Sequence, residues 1–181
     1  TGAGGAPAAN FIRSLRVSKE KIFIVGTDAN EYNLARSEAD LSYLIPESSN
    51  KNYIKFLNFL ITKHKLQFMH SQNDNELQVI SKNREKIKAK LFLPAKETIS
   101  CCSNKFESWQ KWDKSHIRVP KTTLITTKKD LQKAFKTFNG KVWLREISGA
   151  GGKGSIIPQD LSQAFAWIQF KDGWGHFTAA E

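Results

Sequence analysis

A short glycine-rich segment carries the residues of this sequence that are best suited to bind phosphate. Residues 148–155 read SGAGGKGS, with four glycines, one lysine and two serines. Glycine has no Cβ, so backbone N–H groups in such a segment can approach phosphate oxygens closely, and a lysine adds a point charge. The segment is not a Walker A loop, because Lys153 precedes Gly154 instead of Ser or Thr, and Ile147 stands at the first glycine position.

The residues around this segment indicate which kind of glycine loop it forms. Gly149, Gly151 and Gly154 match the Gly-x-Gly-x-x-Gly fingerprint, which requires a helix directly after the loop. Residues 155–157 are instead Ser-Ile-Ile followed by a proline, which predicts a strand. We therefore expect a hairpin between this strand and a strand over residues 141–147, acting as a lid over nucleotide phosphates. A flexible surface hairpin without a ligand is the alternative.

A second glycine loop opens the sequence. The loop Gly2–Gly5 precedes a predicted helix over Ala8–Leu15, and Asp28 ends the next predicted strand. This is near the spacing of about 20 residues at which a Rossmann carboxylate reaches a ribose hydroxyl. Pro7 stands where the third glycine of the fingerprint belongs. Two interpretations stay open here, a nicotinamide-dinucleotide site and a tight first turn of a doubly wound sheet.

Strands and helices alternate through the first 95 residues. The segment Lys21–Gly26 is a near-continuous apolar run of strand length, and Asn50–Lys63 carries apolar residues at helical spacing. This alternation predicts a doubly wound parallel sheet. The pattern changes after Pro94, and we place a domain boundary between residues 93 and 103.

The second half of the sequence contains clear helix signals. Asn104 is expected to cap a helix that runs to His116, and Thr127 to cap a helix over Lys128–Phe138 that stops at Gly140. The latter has apolar residues at i, i+3, i+4 and i+7, which is the spacing of a buried helical face. These helices are the elements that would position the glycine hairpin.

The charge of the chain favours anionic ligands without choosing among them. Lys and Arg number 28 against 17 Asp and Glu, for a formal net charge of +11. Nucleotide phosphates, nucleic acid, acidic lipid headgroups or simply a solvated basic surface would each suit this excess. Stacking of nucleic-acid bases on Trp109, Trp112 and Trp143 is one hypothesis. We expect these tryptophans to lie mostly in the core, and therefore no nucleic-acid partner.

Cysteine and histidine usage predicts the compartment and argues against a zinc site. The two cysteines, Cys101 and Cys102, are adjacent, so a disulfide framework is impossible and reduced thiols in a cytoplasmic protein are expected. The four histidines have no ligand spacing for zinc. No apolar run reaches the length of a membrane span, so no membrane partner is expected. The sequence lacks an initial Met and a strand before the first glycine loop, and it ends in an apolar run, Phe177–Glu181, without a helix end or a polar tail. We therefore expect a fragment cut at both ends, with its first strand missing.

Three further segments, taken with the glycine hairpin, give the chain a family resemblance. They are Asn104-Lys105-Phe106 followed later by His116-Ile-Arg-Val-Pro120, then Val142-Trp-Leu-Arg145, and finally Phe177-Thr-Ala-Ala-Glu181. In this order they resemble the ATP-grasp superfamily, in particular the branch of the carbamoyl-phosphate synthase large chain and biotin carboxylase. The resemblance implies an α/β fold: a Rossmann-like pre-ATP-grasp domain over residues 1–95, then the first, small α+β, lid-bearing part of an ATP-grasp domain over residues 96–181.

The resemblance also implies which residues bind ATP. Lys105 and Arg145 would hold the phosphates, residues 149–155 would form the lid, and Glu181 would lie at the adenine edge. Asn104 stands where the family usually has Asp. No catalytic residue is expected within this chain, and the ligands of Mg²⁺ are expected beyond its C-terminal end. The expected binding residues are Lys105, Arg145, Gly149, Gly151, Gly152, Lys153, Gly154, Ser155 and Glu181.

The function implied by the resemblance is ATP-dependent ligation. ATP would activate a carboxylate or bicarbonate as an acyl phosphate, and an amine or another nucleophile would attack it. The expected partners are small molecules, namely ATP, a carboxylate and an amine, while the oligomeric state is left open with a homodimer as one option. This chain alone would be inactive. An NAD(P)-binding Rossmann oxidoreductase is the alternative, based on the loop Gly2–Gly5 and Asp28.

Overall fold

The computed structural model describes residues 1–149, 151–171 and 173–181. The chain divides into two compact units, Thr1–Ile99 and Ser100–Glu181. The division falls within a helix, α5, over Lys96–Ser103.

The first unit alternates strands and helices, as the sequence predicts. A 3₁₀ turn over Arg84–Lys86 follows its last helix. The elements are α1 (Ala6–Arg16), β1 (Val25–Asp28), α2 (Glu31–Leu34), β2 (Leu41–Leu44), α3 (Tyr53–Lys63), β3 (Phe68–Met69), α4 (Asp74–Lys82) and β4 (Lys90–Leu91).

Both strand pairs of the first unit are parallel. Strand β1 pairs with β2, and β3 pairs with β4, so the described strands form two two-stranded sheets rather than one continuous sheet. Residues 1–3 form hydrogen bonds with Thr27 of β1 and with His70, the residue that follows β3. The Thr1 ammonium donates to the carbonyl of His70 at 2.7 Å, and the Ala3 N–H donates to the carbonyl of Thr27 at 2.9 Å. The expected parallel pairing is confirmed.

Helix α3 supplies much of the core of the first unit. Its buried face consists of Tyr53, Leu57, Leu60 and Ile61, which pack with residues such as Ile80. Full burial of a large apolar side chain contributes about 1.5–3 kcal/mol each. This face follows the i, i+4, i+7, i+8 spacing that predicted the helix from the sequence.

The second unit is built on a four-stranded antiparallel sheet. The strand order is β5-β8-β6-β7, so the last strand lies at the centre of the sheet. The elements are α6 (Lys105–Lys114), β5 (Thr122–Ile125), α7 (Lys128–Thr137), β6 (Trp143–Glu146), β7 (Ser155–Ile156), α8 (Leu161–Phe170) and β8 (Phe177–Ala180).

One face of this sheet packs on α7 and α8. The core contains Leu131 and Ile168 from the helices, and Leu144, Phe177 and Ala179 from the strands. Because successive side chains of a strand point to opposite faces, the residues between these core positions lie on the other face of the sheet. That face is where the candidate site lies.

The predicted helix caps of the second unit are confirmed. The Asn104 side chain accepts hydrogen bonds at the start of α6, and Thr127 forms a reciprocal capping box with Asp130 at the start of α7. Gly140 follows α7 with a φ of 77°, in the left-handed region that glycine favours. These caps define where the helices begin and end beside the sheet.

Several predicted boundaries are wrong. The apolar run at Lys21–Gly26 was expected to be a strand, but β1 begins only at Val25, because the Ile24 N–H donates to the Asp40 carboxylate at 2.8 Å instead of to a strand. The helix expected to run from Asn104 to His116 ends at Lys114. Helix α5 was not predicted at all.

The tryptophans also differ from expectation. Trp112 is 51% exposed and Trp143 is 43% exposed, so these two do not lie in the core. Trp109 is half-buried, and its indole N–H donates to the carbonyl of Pro120 at 2.8 Å. A tryptophan can occupy an apolar position of a helix or strand and still keep one edge of its ring in solvent. The spacing of these residues therefore did not show that their rings are buried.

Candidate functional site

The glycine segment lies at the tip of a hairpin, as the sequence predicts. Strands β6 and β7 pair antiparallel, with Arg145 opposite Ser155. The Glu146 N–H donates to the carbonyl of Gly154 at 2.9 Å, and the Ser155 N–H donates to that of Gly152 at 3.0 Å. Ala150, which falls within the predicted lid, lies outside the described residues. The loop is therefore a strand-to-strand connection without a helix after it.

The glycines of the hairpin are needed for two different reasons. Gly149, Gly151 and Gly152 have φ values of 96°, 70° and 71°, a conformation that other residues adopt only with strain. Gly154 has no such φ, but a Cβ there would overlap with the carboxylate of Glu146. The first three residues keep the loop backbone open toward a ligand, and the fourth makes room for an acidic side chain beside the loop.

Lys105 connects the start of helix α6 to the base of the hairpin. Its ammonium donates to the carbonyl of Gly149 at 2.7 Å, and its backbone N–H donates to the carbonyl of Ile147 at 2.8 Å. The structure therefore brings together two of the predicted ATP-binding elements, Lys105 and the first glycine of the lid. The positive charge lies where the loop begins.

Asn104 holds Lys105 in this position by capping the helix. Its side-chain oxygen accepts from the N–H groups of Phe106 and Glu107 at 3.0 and 3.1 Å, and its amide donates to the Glu107 carboxylate at 3.0 Å. Asn and Asp cap helices about equally well. The departure from the family's usual Asp therefore preserves the cap, while it removes one negative charge next to Lys105.

Arg145 lies on the sheet face that is turned away from α7 and α8. Its guanidinium lies over the ring of Trp143, 4.8 Å from the ring centroid. Its Nε atom is buried and has no hydrogen-bond partner among the described residues. Thr178, directly opposite Arg145 on β8, has a buried hydroxyl in the same condition. Buried polar atoms are normally paired, so these two unpaired atoms mark this face of the sheet as the candidate site.

Glu146 is an acidic neighbour of the glycine loop that the sequence analysis did not single out. It follows Arg145 on β6 and therefore lies on the opposite face, beside Gly154. Its carboxylate is 3.7 Å from the ammonium of Lys171, at the end of α8. Two consecutive charged residues within a strand are the signal that could have identified it, because one of them must face the helix layer.

Two of the predicted ATP-binding residues, Lys153 and Glu181, are exposed. Lys153 is exposed at the tip of the loop. Glu181 is exposed directly after β8, and its backbone N–H donates to the carbonyl of Lys121 at 3.1 Å. Within residues 1–149, 151–171 and 173–181, no hydrogen bond or ion pair is found between Glu181 and Lys105, Arg145 or the loop.

The first glycine loop is closed by the carboxylate that a dinucleotide would need. Asp28 is buried, and its two oxygens accept from the N–H groups of Gly4 at 3.2 Å and Asn30 at 3.0 Å. A Cβ on Gly4 would overlap with the backbone of Asn33. These contacts hold a tight turn together, and they favour the structural interpretation of the loop over a ribose-binding carboxylate.

In the described part of the chain, no group of three or more His, Cys, Asp or Glu side chains could hold a metal ion. Nor does any described helix combine the length and the apolar character that crossing a membrane requires.

Comparison with known sequences finds a similarity within the first unit. Residues 6–92 match the family model described as PylC-like, N-terminal domain. A comparison with curated proteins finds no significant match.

Solved structures match nearly the whole chain. N5-carboxyaminoimidazole synthetase from Staphylococcus aureus complexed with ADP aligns with a TM-score of 0.73 at 16% identity, over 99% of this chain and 44% of that chain. Carboxyaminoimidazole ribonucleotide synthase from Aspergillus clavatus complexed with ATP aligns with a TM-score of 0.68 at 14% identity, over 98% and 44% of the two chains.

A third structure comes from another enzyme. The biotin carboxylase domain dimer of 2-oxoglutarate carboxylase from Hydrogenobacter thermophilus, in complex with MgADP, ADP and bicarbonate, aligns with a TM-score of 0.63 at 13% identity, over 99% of this chain and 42% of that chain. The present chain thus spans less than half the length of each of the three. These structures show that the chain has the mixed α/β fold of the N-terminal part of these enzymes, and the match of residues 6–92 agrees with the resemblance to the ATP-grasp superfamily.

Proposed function

We propose that this chain is the ATP-binding portion of an ATP-grasp ligase that activates a carboxylate or bicarbonate. In the proposed reaction, an oxygen of the acceptor attacks the γ-phosphorus of ATP, the bond from that phosphorus to the bridging oxygen breaks, and ADP leaves. An amine or another nucleophile then attacks the acyl carbon, loses its proton, and inorganic phosphate leaves.

One observation carries the proposal. Arg145 Nε and Thr178 Oγ1 are buried and without a hydrogen-bond partner among the described residues, and the two residues are register partners on β6 and β8. Arg145 also pairs with Ser155, the residue at which the glycine loop ends. A planar guanidinium suits phosphate oxygens, and the unpaired hydroxyl can donate a further hydrogen bond.

The other residues of the site would act on the same phosphates. Backbone N–H groups of the loop can approach phosphate oxygens, and Lys153 can follow the loop as a mobile charge. Lys105 would supply a second charge at the base of the loop. Cations placed in advance stabilise the charge that shifts during phosphoryl transfer, and they need no rearrangement at the moment of reaction. We place Glu181 at the adenine edge by its position after β8.

Mg²⁺ would neutralise charge on the phosphate oxygens in such a reaction. The described residues contain no group of three or more His, Cys, Asp or Glu that could hold a metal ion, and no residue is assigned to the ion. We derive the roles of Arg145, Thr178 and the loop without it.

The similar structures support the nucleotide part of the proposal. They are complexes with ATP, with ADP, and with MgADP, ADP and bicarbonate. The acceptor and the nucleophile are left open, and so is the oligomeric state, although one of these structures is a dimer. The adjacent thiols Cys101 and Cys102 form no disulfide, which suits the cytoplasm as the proposed compartment.

The experiment that tests this function measures ADP and phosphate release by the full-length protein against a panel of carboxylates and amines. Replacement Arg145→Met should lower ADP formation at least about 100-fold, because a charged donor to the phosphates is lost. Arg118→Met is the matched control, since Arg118 is exposed in the same unit. The proposal would be contradicted if no pair of substrates leads to ATP consumption. It would also be contradicted if the Arg145→Met protein forms ADP as fast as the unchanged protein.

A further inference from the structure

The first unit contains a groove whose positive charge the proposed function does not use. The groove lies along α3 and the segment that leads from α4 to β4, and its volume is about 810 Å³. We call it the lysine groove, because Lys51, Lys55, Lys86 and Lys88 line it.

None of the described residues that line the groove is Asp or Glu, so no acidic side chain of the lining offsets these lysines. All four lysines are exposed, and none of them takes part in the ion pairs found within the described residues. Elsewhere in the same unit, Arg13 pairs with Glu38. Four unpaired ammonium groups around one cavity produce a local positive potential that attracts anions.

The segment that carries two of the lysines is held in place by one side chain. Asn58, on α3, donates its amide to the carbonyl of Lys86 at 2.7 Å and accepts from the N–H of Lys88 at 3.0 Å. These two bonds mimic the pairing of a backbone strand. The backbone of the segment is thereby fixed against α3, so the groove exists before any ligand binds.

The start of helix α3 adds to the positive charge. Its N-cap residue, Asn52, makes no side-chain capping bond, and its first turn contains no acidic residue. Lys51 lies directly before this end of the helix. An uncapped helix N-terminus carries a partial positive charge of its own. In contrast, α4 begins with a capping Asn73 and two acidic residues.

The groove also has an apolar part. Ile54 and Val79 line it together with Phe59, whose side chain is 57% exposed. A volume of about 810 Å³ lies within the range of pockets that bind small molecules. A nucleic acid would instead need a basic stripe that follows its backbone.

We propose that the lysine groove binds a small molecule with two or more phosphate groups. The site is separate from the glycine hairpin, which the other unit carries, and the inference does not depend on the proposed ligase activity. Lysine suits such a ligand as a flexible point charge, and Phe59 can contact an apolar or planar part of it.

Backbone NMR with inorganic triphosphate as the probe tests this inference. The full 181-residue chain is titrated at physiological ionic strength, and the amide of Lys88, whose N–H bonds to Asn58, reports on the groove. We expect a saturable shift of this amide. Replacement Lys55→Gln with Lys86→Gln should raise the dissociation constant about tenfold or more, as expected when two charge contacts are lost.

Two controls separate the groove from overall charge and from the hairpin. Lys19→Gln with Lys21→Gln removes the same charge from exposed positions of the same unit and should leave the affinity within about twofold. Arg145→Met should leave the groove shifts unchanged. The inference would be overturned if the groove amides show no saturable shift, or if both double replacements weaken triphosphate binding equally. It would also be overturned if an oligonucleotide or an acidic peptide saturates the groove at a lower concentration than triphosphate.

Discussion

Arg145 and Thr178 face each other on neighbouring strands, and each has a buried polar side-chain atom without a hydrogen-bond partner among the described residues. Thr178 is only 1% exposed. A buried donor that stays unpaired costs about 1–3 kcal/mol. Two such atoms in register, beside a glycine hairpin, form a place where a ligand with oxygen acceptors would be stabilised. This relationship is the basis of the proposed nucleotide site.

The contact between Gly154 and Glu146 predicts a coupled pair. The change Gly154→Ala should destabilise the protein by about 1 kcal/mol or less, because the new Cβ overlaps with the Glu146 side chain, which is flexible and can move aside at a small cost. Urea unfolding measures the effect. In a Glu146→Ala background the overlap disappears, so Gly154→Ala should then have a much smaller effect. Simple additivity of the two changes would show that the contact is absent.

The hydrogen bond between Lys105 and Gly149 predicts that Lys105 restrains the lid. In the Lys105→Gln protein, the N–H groups of residues 151–155 should exchange with deuterium faster, because the base of the loop loses its 2.7 Å bond to the lysine. Lys111→Gln, an exposed position on the same helix, serves as the control. Unchanged exchange in the Lys105→Gln protein would show that the loop is ordered by other contacts.

The capping box of α7 predicts an acid-dependent stability. Hydrogen bonds from Thr126 and Thr127 lower the pKa of Asp130 to about 2. A carboxyl whose pKa is lowered on folding stabilises the fold above its ordinary pKa of 3.8, and this contribution is lost as the pH falls toward 2. In Asp130→Asn, stability above pH 4 should be lower and its decline between about pH 4 and 2 smaller.

Thermal unfolding across this pH range measures the Asp130 effect. Asp113→Asn is the matched control, because Asp113 is exposed on α6. If the two replacements give the same pH profile, the hydrogen bonds from Thr126 and Thr127 do not couple to folding.

The buried pair Tyr53 and Glu76 predicts a loss of stability in the first unit. The Tyr53 hydroxyl donates to Glu76 Oε1 at 2.9 Å, and the two residues are 0% and 5% exposed. Tyr53→Phe should lower the free energy of unfolding by about 1–3 kcal/mol, because a buried carboxylate loses its donor. Tyr32→Phe, at a residue that is 86% exposed, should stay within about 0.5 kcal/mol. Equal effects of the two changes, measured by urea unfolding, would refute this role of the pair.

The helices with complete local signals could be predicted from the sequence. Helix α7 was expected over Lys128–Phe138 and is found over Lys128–Thr137, because its cap and its apolar stripe agree. Helix α5, in contrast, has the sequence KETISCCS, which lacks a continuous apolar stripe. Strand β1 was misplaced because an apolar run reports burial, whereas the start of a strand depends on backbone partners elsewhere in the chain.

The site could be predicted only in part for the same reason. The hairpin follows from its glycines and from the strand after them, and Arg145 came from the family resemblance. Thr178 becomes recognisable only with the strand register, because it is distant in sequence from Arg145, its partner on β6. Pairing between strands that are far apart in sequence is information that local patterns do not contain.

A titration with Mg²⁺ and ATP, followed by backbone amide shifts, tests whether the nucleotide binds beside the glycine hairpin. We expect the largest shifts at Arg145, Thr178, Lys105 and the described residues of the glycine loop, and we expect Arg145→Met to reduce them. Shifts that centre instead on Gly2–Gly5 and Asp28, or no saturable change on this face of the four-stranded sheet, would contradict it.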